Sequence, residues 1–297
     1  MSAIVTDERH AFHQQLIASS TLVITEVQPK DKKKQPFDCA SNSDSGQKFS
    51  VDVGLDIAKQ LGASRAKKRL DGQVAGKRFE AAVQSFLSAT FLHLGALRPG
   101  TWEIENVGGS RGVYHLARYE PYRHLDDLAQ AIEMSPTLAS VLGNSYDISP
   151  DVIVIRKPES DSHINNQTSV VDGSTARLSP IRQANQTHGI VHAVVSCKWT
   201  LRSDRAQNAR SEALNIIRNR KGRTPHIAVV TGEPSSTRLA SLALGTGDVD
   251  TVYHFALPEL TAATKRSGNS EAQQMLQTLV DGRRLRDISD LPLDLAI

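Results

Sequence analysis

Cysteine is scarce in this sequence and long apolar runs are missing. Cys39 and Cys197 are its two cysteines, too few for a disulfide framework, so a reducing cytoplasm is the expected compartment. No window approaches the roughly 18 consecutive apolar residues of a membrane-spanning helix. The opening Met1-Ser2-Ala3-Ile4-Val5-Thr6-Asp7-Glu8-Arg9 lacks the basic-then-apolar layout of a secretory signal. With 12 prolines and 19 glycines the chain is not fibrous, and 39% hydrophobic residues are too many for a disordered one. The formal net charge is only +3, without the bulk basicity that advertises a nucleic-acid binder. GxGxxG after a strand, GxxxxGK[ST], HExxH, CxxC and GxSxG are all missing. The ten histidines show no metal-ligand spacing, and no internal repeat is present.

What is there is a chain of 297 residues, enough to bury a sizeable core. It is expected to form a single domain over 1–297, with polar loops at about 28–50 and 157–188 and a catalytic core at about 76–256. Residues 7–24 read as a helix followed by a short apolar run. Residues 28–47 carry Lys30, Lys32, Lys33 and Lys34 and then Ser41-Asn42-Ser43-Asp44-Ser45-Gly46, a loop composition. Residues 51–61 show helical apolar spacing. In 76–94 the spacing is stronger, with Phe79, Ala82, Val83, Phe86, Leu87, Thr90, Phe91 and Leu94 on one face and Gly95 beyond. Residues 102–107 and 113–117 read as short strands around Gly108-Gly109, and 125–142 as a helix interrupted near Pro136. Strands are expected at 151–155, 190–199, 226–231 and 252–255, and helices at 204–220 and 237–244. The polar stretch 157–188 reads as a surface insertion. This order predicts an α/β fold, a mixed central sheet flanked by helices.

Two charged residues stand out on that sheet. Asp151 follows Pro150 and opens a β-branched strand, and Lys198 sits inside the apolar strand Val194-Val195-Ser196-Cys197-Lys198-Trp199. Alternation puts Ser196 and Lys198 on one face and Val195, Cys197 and Trp199 on the other. A lysine there is expensive to bury, so it needs an anionic partner or a functional reason. The next helix turns Ala206, Ala209, Ala213, Ile216 and Ile217 to the sheet, with Glu212 at the edge of that face. Glu80 follows Phe79 early in the amphipathic helix. Phosphodiester hydrolysis needs such a set: carboxylates to gather Mg²⁺, and a lysine to orient or deprotonate water or neutralise phosphate. A purely structural ion-pair cluster of Asp151, Lys198 and Glu212 is equally compatible with these residues alone.

Ser149-Pro150-Asp151, Ser196-Cys197-Lys198 and Glu212 together resemble a variant of the PD-(D/E)xK nuclease superfamily. The likeness is to restriction endonucleases that cut around CCGG, and to the NgoMIV type in particular. There the acid two residues before the lysine is replaced by serine, and a helix glutamate takes over. Ser196 and Glu212 match those places. The likeness is densest over residues 196–212, continues through Arg218-Asn219-Arg220-Lys221-Gly222-Arg223 and Leu244-Gly245-Thr246-Gly247, and reaches the closing segment at 287–295. It implies a restriction-endonuclease-like core and a type II enzyme that uses two Mg²⁺ ions per site. Asp151, the main-chain oxygen of Cys197, and Glu212 and Glu80, directly or through water, would hold them. The Cys197 thiol itself reads as core packing.

The resemblance also implies how DNA is read. Arg202, Asp204 and Arg205, at a helix start, would read the central CCGG, since arginine pairs with guanine O6 and N7 and an acid accepts from cytosine N4. Arg238 would read the outer guanine, Asp44 the outer cytosine, and Gln73 would touch the minor groove, giving GCCGGC with 5′-CCGG overhangs and 5′-phosphates. After Asp44 this sequence departs from the family pattern at Ser45-Gly46. A homotetramer built as two dimers, and a cognate DNA methyltransferase in the same system without direct contact, are further implications. Residues 196–223 hold eight cationic side chains against Asp204 and Glu212, a basic strip expected to face DNA. A structure-specific nuclease of the same fold and a non-catalytic DNA-binding regulator are the competing readings.

Overall fold

Val152, Ile153, Val154 and Ile155 are all fully buried, as expected for a strand covered on both faces. The computed structural model describes residues 2–29, 35–107, 116–142, 148, 150–201, 203–245 and 247–297. Its elements are α1 (Ile4–Ala18), β1 (Ile24–Val27), β2 (Phe37–Ala40), α2 (Lys48–Gln60), α3 (Gly72–Thr90), β3 (Trp102–Asn106), α4 (His124–Glu133) and α5 (Pro136–Leu142). They continue with β4 (Val152–Arg156), α6 (Asp161–Ile164), β5 (Ile190–Lys198), α7 (Ser203–Asn219), β6 (His226–Thr231), α8 (Ser236–Ala243) and β7 (Thr251–His254). The chain closes with α9 (Leu257–Arg266), α10 (Ser270–Asp281), β8 (Leu285–Asp287) and α11 (Leu291–Asp294).

The expected mixed sheet has six strands in the order β3-β4-β5-β6-β7-β8. Neighbours are antiparallel from β3 to β5 and parallel from β5 to β8. Antiparallel pairing of Val152 with Val195 brings Asp151 opposite Ser196. On one face, α7 packs Ala209, Ala213 and Ile216 against Val194, Ile227 and Val229. On the other, Phe79 of α3 packs against Trp199, with ring centroids 5.0 Å apart and the rings tilted by 54°.

Local signals explain most boundaries. The side chain of Asp71 accepts the Gln73 amide at 2.9 Å, which starts α3 one turn before the apolar spacing becomes visible. Met134 and Ser135 separate α4 from α5 at the expected interruption, with Pro136 opening the second helix.

Two expectations need correction and a third gains detail. Residues 28–47 are not all loop: β2 pairs antiparallel with β1, Ile24 opposite Ala40 and Val27 opposite Phe37. The lysine-rich composition hid a short strand whose inward residues are Cys39 and Ala40. Residues 113–117 do not continue as a strand into the described region, since Leu116–Arg118 is a 3-10 turn. Gly108-Gly109 and residues 113–115 lie outside the described residues, and the partner of β3 is β4. Finally, the 157–188 insertion is exposed as expected but internally organised. Arg182, 4% exposed, donates to both oxygens of Asp161 at 2.8 and 2.7 Å and to the carbonyls of Asp172 and Thr175. One buried guanidinium thus replaces an apolar core.

Candidate active site

The start of β4 and the end of β5 bring the two charged residues together. Asp151 Oδ2 accepts from the Cys197 amide at 2.6 Å and from Lys198 Nζ at 3.1 Å, with the Ser196 hydroxyl 3.5 Å away. Its Oδ1 stands outside these bonds. Glu212, one turn along α7 from Ala209, accepts from Ser196 Oγ at 3.2 Å and lies 3.5 Å from Lys198 Nζ. Ser196 has one proton to give, and the shorter contact assigns it to Glu212.

The electrostatics follow from this packing. Burial alone would lower the pKa of Lys198, but Asp151 and Glu212 outweigh it and hold the amine above its ordinary value. Lys198 is therefore a cation at neutral pH. Burial raises Glu212, against the pull of Lys198. Glu80 is pushed up to about 7, first by burial and then by the charge of Asp151, with Lys198 and Lys77 opposing. Burial drives the Cys197 thiol well above its usual range, which agrees with an inert packing role.

These groups open onto a cleft of about 640 Å³ lined by Gln73, Glu80, Lys198, Asn208 and Glu212 among others. Gln73 is exposed in the first turn of α3. A second groove, about 250 Å³, contains Asp44, Arg69 and Arg238 and shares Gly72 and Trp199 with the first. There Arg238 and Asp44, 194 positions apart, form an ion pair. The other face of the guanidinium, Nη1, is 3.6 Å from Glu233 Oε2. Arg202 lies outside the described residues, as do the side chains of Asp204 and Arg205, although α7 does begin at Ser203.

Comparison with known proteins places the chain in a family. The family model described as NgoMIV restriction enzyme matches residues 12–297. A type II restriction enzyme named NgoMIV, from Neisseria gonorrhoeae, is 43% identical over 297 residues, covering 100% of both chains. The chain belongs to the NgoMIV family of type II restriction endonucleases. Its six-stranded sheet between helices is accordingly a restriction-endonuclease-like α/β fold. No helix among the described residues is long and apolar enough to cross a membrane.

Within this family member the expected basic strip is not one surface. Arg210 turns away to pair with Asp248 at 2.9 Å and to bond the carbonyls of Ser241, Leu242 and Leu244 at the end of α8. Lys221 and Arg223 line a separate cavity beside Ile190 and His192, at the opposite end of β5 from Lys198. Sequence proximity concentrated these charges, but the length of α7 disperses them. Sequence reasoning also missed Glu233, Arg69 and Asn208. The one available signal for Glu233 was an acid two residues past the buried strand β6, at the end where Lys198 stands.

Proposed function

We propose that the chain hydrolyses double-stranded DNA at a palindrome centred on CCGG, with GCCGGC as its target. Asp151, Lys198 and Glu212, with Ser196 and Glu80, form a Mg²⁺-dependent site of the PD-(D/E)xK kind. The observation that carries this reading is the position of Lys198 Nζ, 3.1 Å from Asp151 and 3.5 Å from Glu212, at the floor of an open cleft.

The residues fit a divalent cation. Asp151 keeps Oδ1 outside its hydrogen bonds, and Glu80 bears a repulsion from Asp151 that a dication would relieve. Among the described residues no three acids, histidines or cysteines already gather as a cation cage. Mg²⁺ takes one or two carboxylates plus waters and phosphate oxygens. Two ions per site would be held by Asp151, the main-chain oxygen of Cys197, and Glu212 and Glu80 directly or through water. When bound, they supply an activated water and neutralise charge on the phosphate. Lys198, tethered at both sides, would orient or deprotonate the attacking water or neutralise a phosphate oxygen. The water oxygen bonds to phosphorus as the bond to the 3′ oxygen breaks; the water gives up a proton to Lys198 or to solvent and the 3′ oxygen takes one up from solvent, leaving a 3′-hydroxyl and a 5′-phosphate on a 5′-CCGG overhang.

For readout, Arg202, Asp204 and Arg205 take the central pairs, Arg238 and Asp44 the outer G·C pair, and Gln73 the minor groove. The grooves that hold Glu80 and Arg238 meet at Gly72 and Trp199, which supports one continuous DNA track. The single domain acts as a homotetramer of two dimers, about four times 32.4 kDa. A cognate methyltransferase, making no contact with it, protects host DNA in the cytoplasm.

The test is to sequence the ends produced with Mg²⁺ on a plasmid carrying two GCCGGC sites. Discrete ends at those sites are expected. A smear without fixed termini would make it a structure-specific nuclease, and tight sequence-specific binding without cutting would make it a regulator.

A further inference from the structure

Glu233 is a buried acid for which the proposed cleavage has no use. It occupies the turn between β6 and α8 with none of its surface exposed. A buried carboxylate is costly unless it is bonded and paired, and Glu233 is both. Its Oε2 accepts the Leu201 amide at 2.8 Å, its Oε1 accepts the Ser235 amide at 3.1 Å, and Arg238 Nη1 lies 3.6 Å from Oε2. These contacts outweigh neither burial nor its effect on the acid, which is held up at about 7.

The turn that carries Glu233 is tied down on two more sides. Asn42 Nδ2 donates to the Gly232 carbonyl at 2.8 Å, two residues before Asp44. A Cβ on Gly232 would stand 2.7 Å from the Trp199 ring and 2.9 Å from the Trp199 carbonyl oxygen, so turn and strand end are in close backbone contact. One short turn thereby meets three segments. These are the loop bearing Asp44, the connection from β5 that leads from Leu201 into residues 202–205, and α8 with Arg238.

We infer that Glu233 is a positioning residue for base readout: it sets the Arg238 guanidinium against Asp44 and ties both to the connection that begins at Leu201. This rests on the assignment of Arg238 and Asp44 to the outer G·C pair made above. The donor set calls for two acceptor oxygens at this position. Two acceptor oxygens face two amides and a guanidinium, whereas a glutamine would aim its NH₂ at one of these donors. Without the tether, Arg238 keeps its partner Asp44 but loses its fixed approach to a base edge, where geometry determines discrimination.

The experiment compares single-turnover cleavage and equilibrium binding on two duplexes, GCCGGC and the outer-pair variant ACCGGT. Glu233→Gln is expected to lower the ratio of single-turnover rate to Kd on GCCGGC about tenfold or more, mainly through Kd, while leaving ACCGGT within about threefold. The preference between the two duplexes then collapses. An equal loss on both duplexes would show a merely structural role and overturn the inference, as would an unchanged preference. Thermal melting establishes that the variant folds. Should the glutamine variant not fold, Glu233→Asp carries the test: a preference between none and that of the wild type is expected, and a preference equal to the wild type overturns the inference. A wild type without preference for GCCGGC overturns the outer-pair reading and this inference with it. A wild type that prefers GCCGGC, with a glutamine variant that prefers it equally, overturns this inference alone.

Discussion

The Ser196 hydroxyl donates to Glu212 Oε2 at 3.2 Å, so the residue two places before Lys198 engages a carboxylate instead of supplying one. A negative charge is thus delivered to the lysine from a helix, across the strand. Glu212→Gln keeps the size of that side chain and can still accept from Ser196. Its expected cost is therefore charge alone: a fall in cleavage rate of about 100-fold or more, with a melting temperature close to that of the parent. Timed plasmid digestion and calorimetry measure the two. A variant that cuts at the parental rate would remove Glu212 from the reaction.

Asp151→Ala and Lys198→Ala should each reduce cleavage by about 1,000-fold or more. In the proposed role base readout belongs to other residues, so binding of a GCCGGC duplex by Asp151→Ala is expected to persist in gel-shift titrations. Lys198→Ala has a second consequence, because it leaves Asp151 and Glu212 repelling each other without their shared cation. Its melting temperature should fall further than that of Asp151→Ala, and the reverse order would contradict the central place given to Lys198.

Glu80 provides a pH dependence with a definite sign. Its pKa is about 7 in the folded protein against 4.5 ordinarily. Between those values the folded protein holds a proton that the unfolded chain has released, so stability falls as pH rises through that window. Glu80→Gln has no such loss and should be the more stable at pH 8, by about 1 to 3 kcal/mol, while the two proteins converge near pH 4.5. Mg²⁺ at pH 8 should raise the melting temperature of the wild type more than that of Glu80→Gln. A constant gap between the two across pH would sink the assignment.

Arg210 tests the correction to the basic strip. It caps the end of α8 through three carbonyls and pairs with Asp248. Arg210→Ala should lower stability by about 1 to 3 kcal/mol in denaturant titrations. It should leave the salt dependence of DNA binding almost unchanged, because it neutralises no phosphate. Arg210→Lys should recover only part of the stability, since an ammonium cannot span the same set of acceptors.

Much of this arrangement was legible in the sequence where one physical requirement dominated. A lysine inside an apolar strand demanded anions, and Asp151 and Glu212 are the anions found. The helical face of Phe79, Ala82, Val83 and Phe86 is buried as read. What escaped depended on partners distant in sequence. Phe37–Ala40 reads as loop until β1 is beside it. Glu233 looks like an ordinary turn acid, and its burial comes from Leu201, Arg238 and the packing of Gly232 on Trp199. Arg210 was counted as a surface charge because Asp248 lies 38 positions away.

The seam between β4 and β5 also bears on how the enzyme is made. Asp151 and Lys198 are 47 positions apart and meet only when those strands pair. Glu212 arrives later still, on a helix whose apolar face needs β6 beneath it. A chain emerging from the ribosome therefore carries no cutting site through most of its synthesis, although each acid is present as soon as it is translated. In the proposed role the host chromosome is potential substrate, and the geometry completes the site only once β4, β5 and β6 are paired and α7 is docked on them.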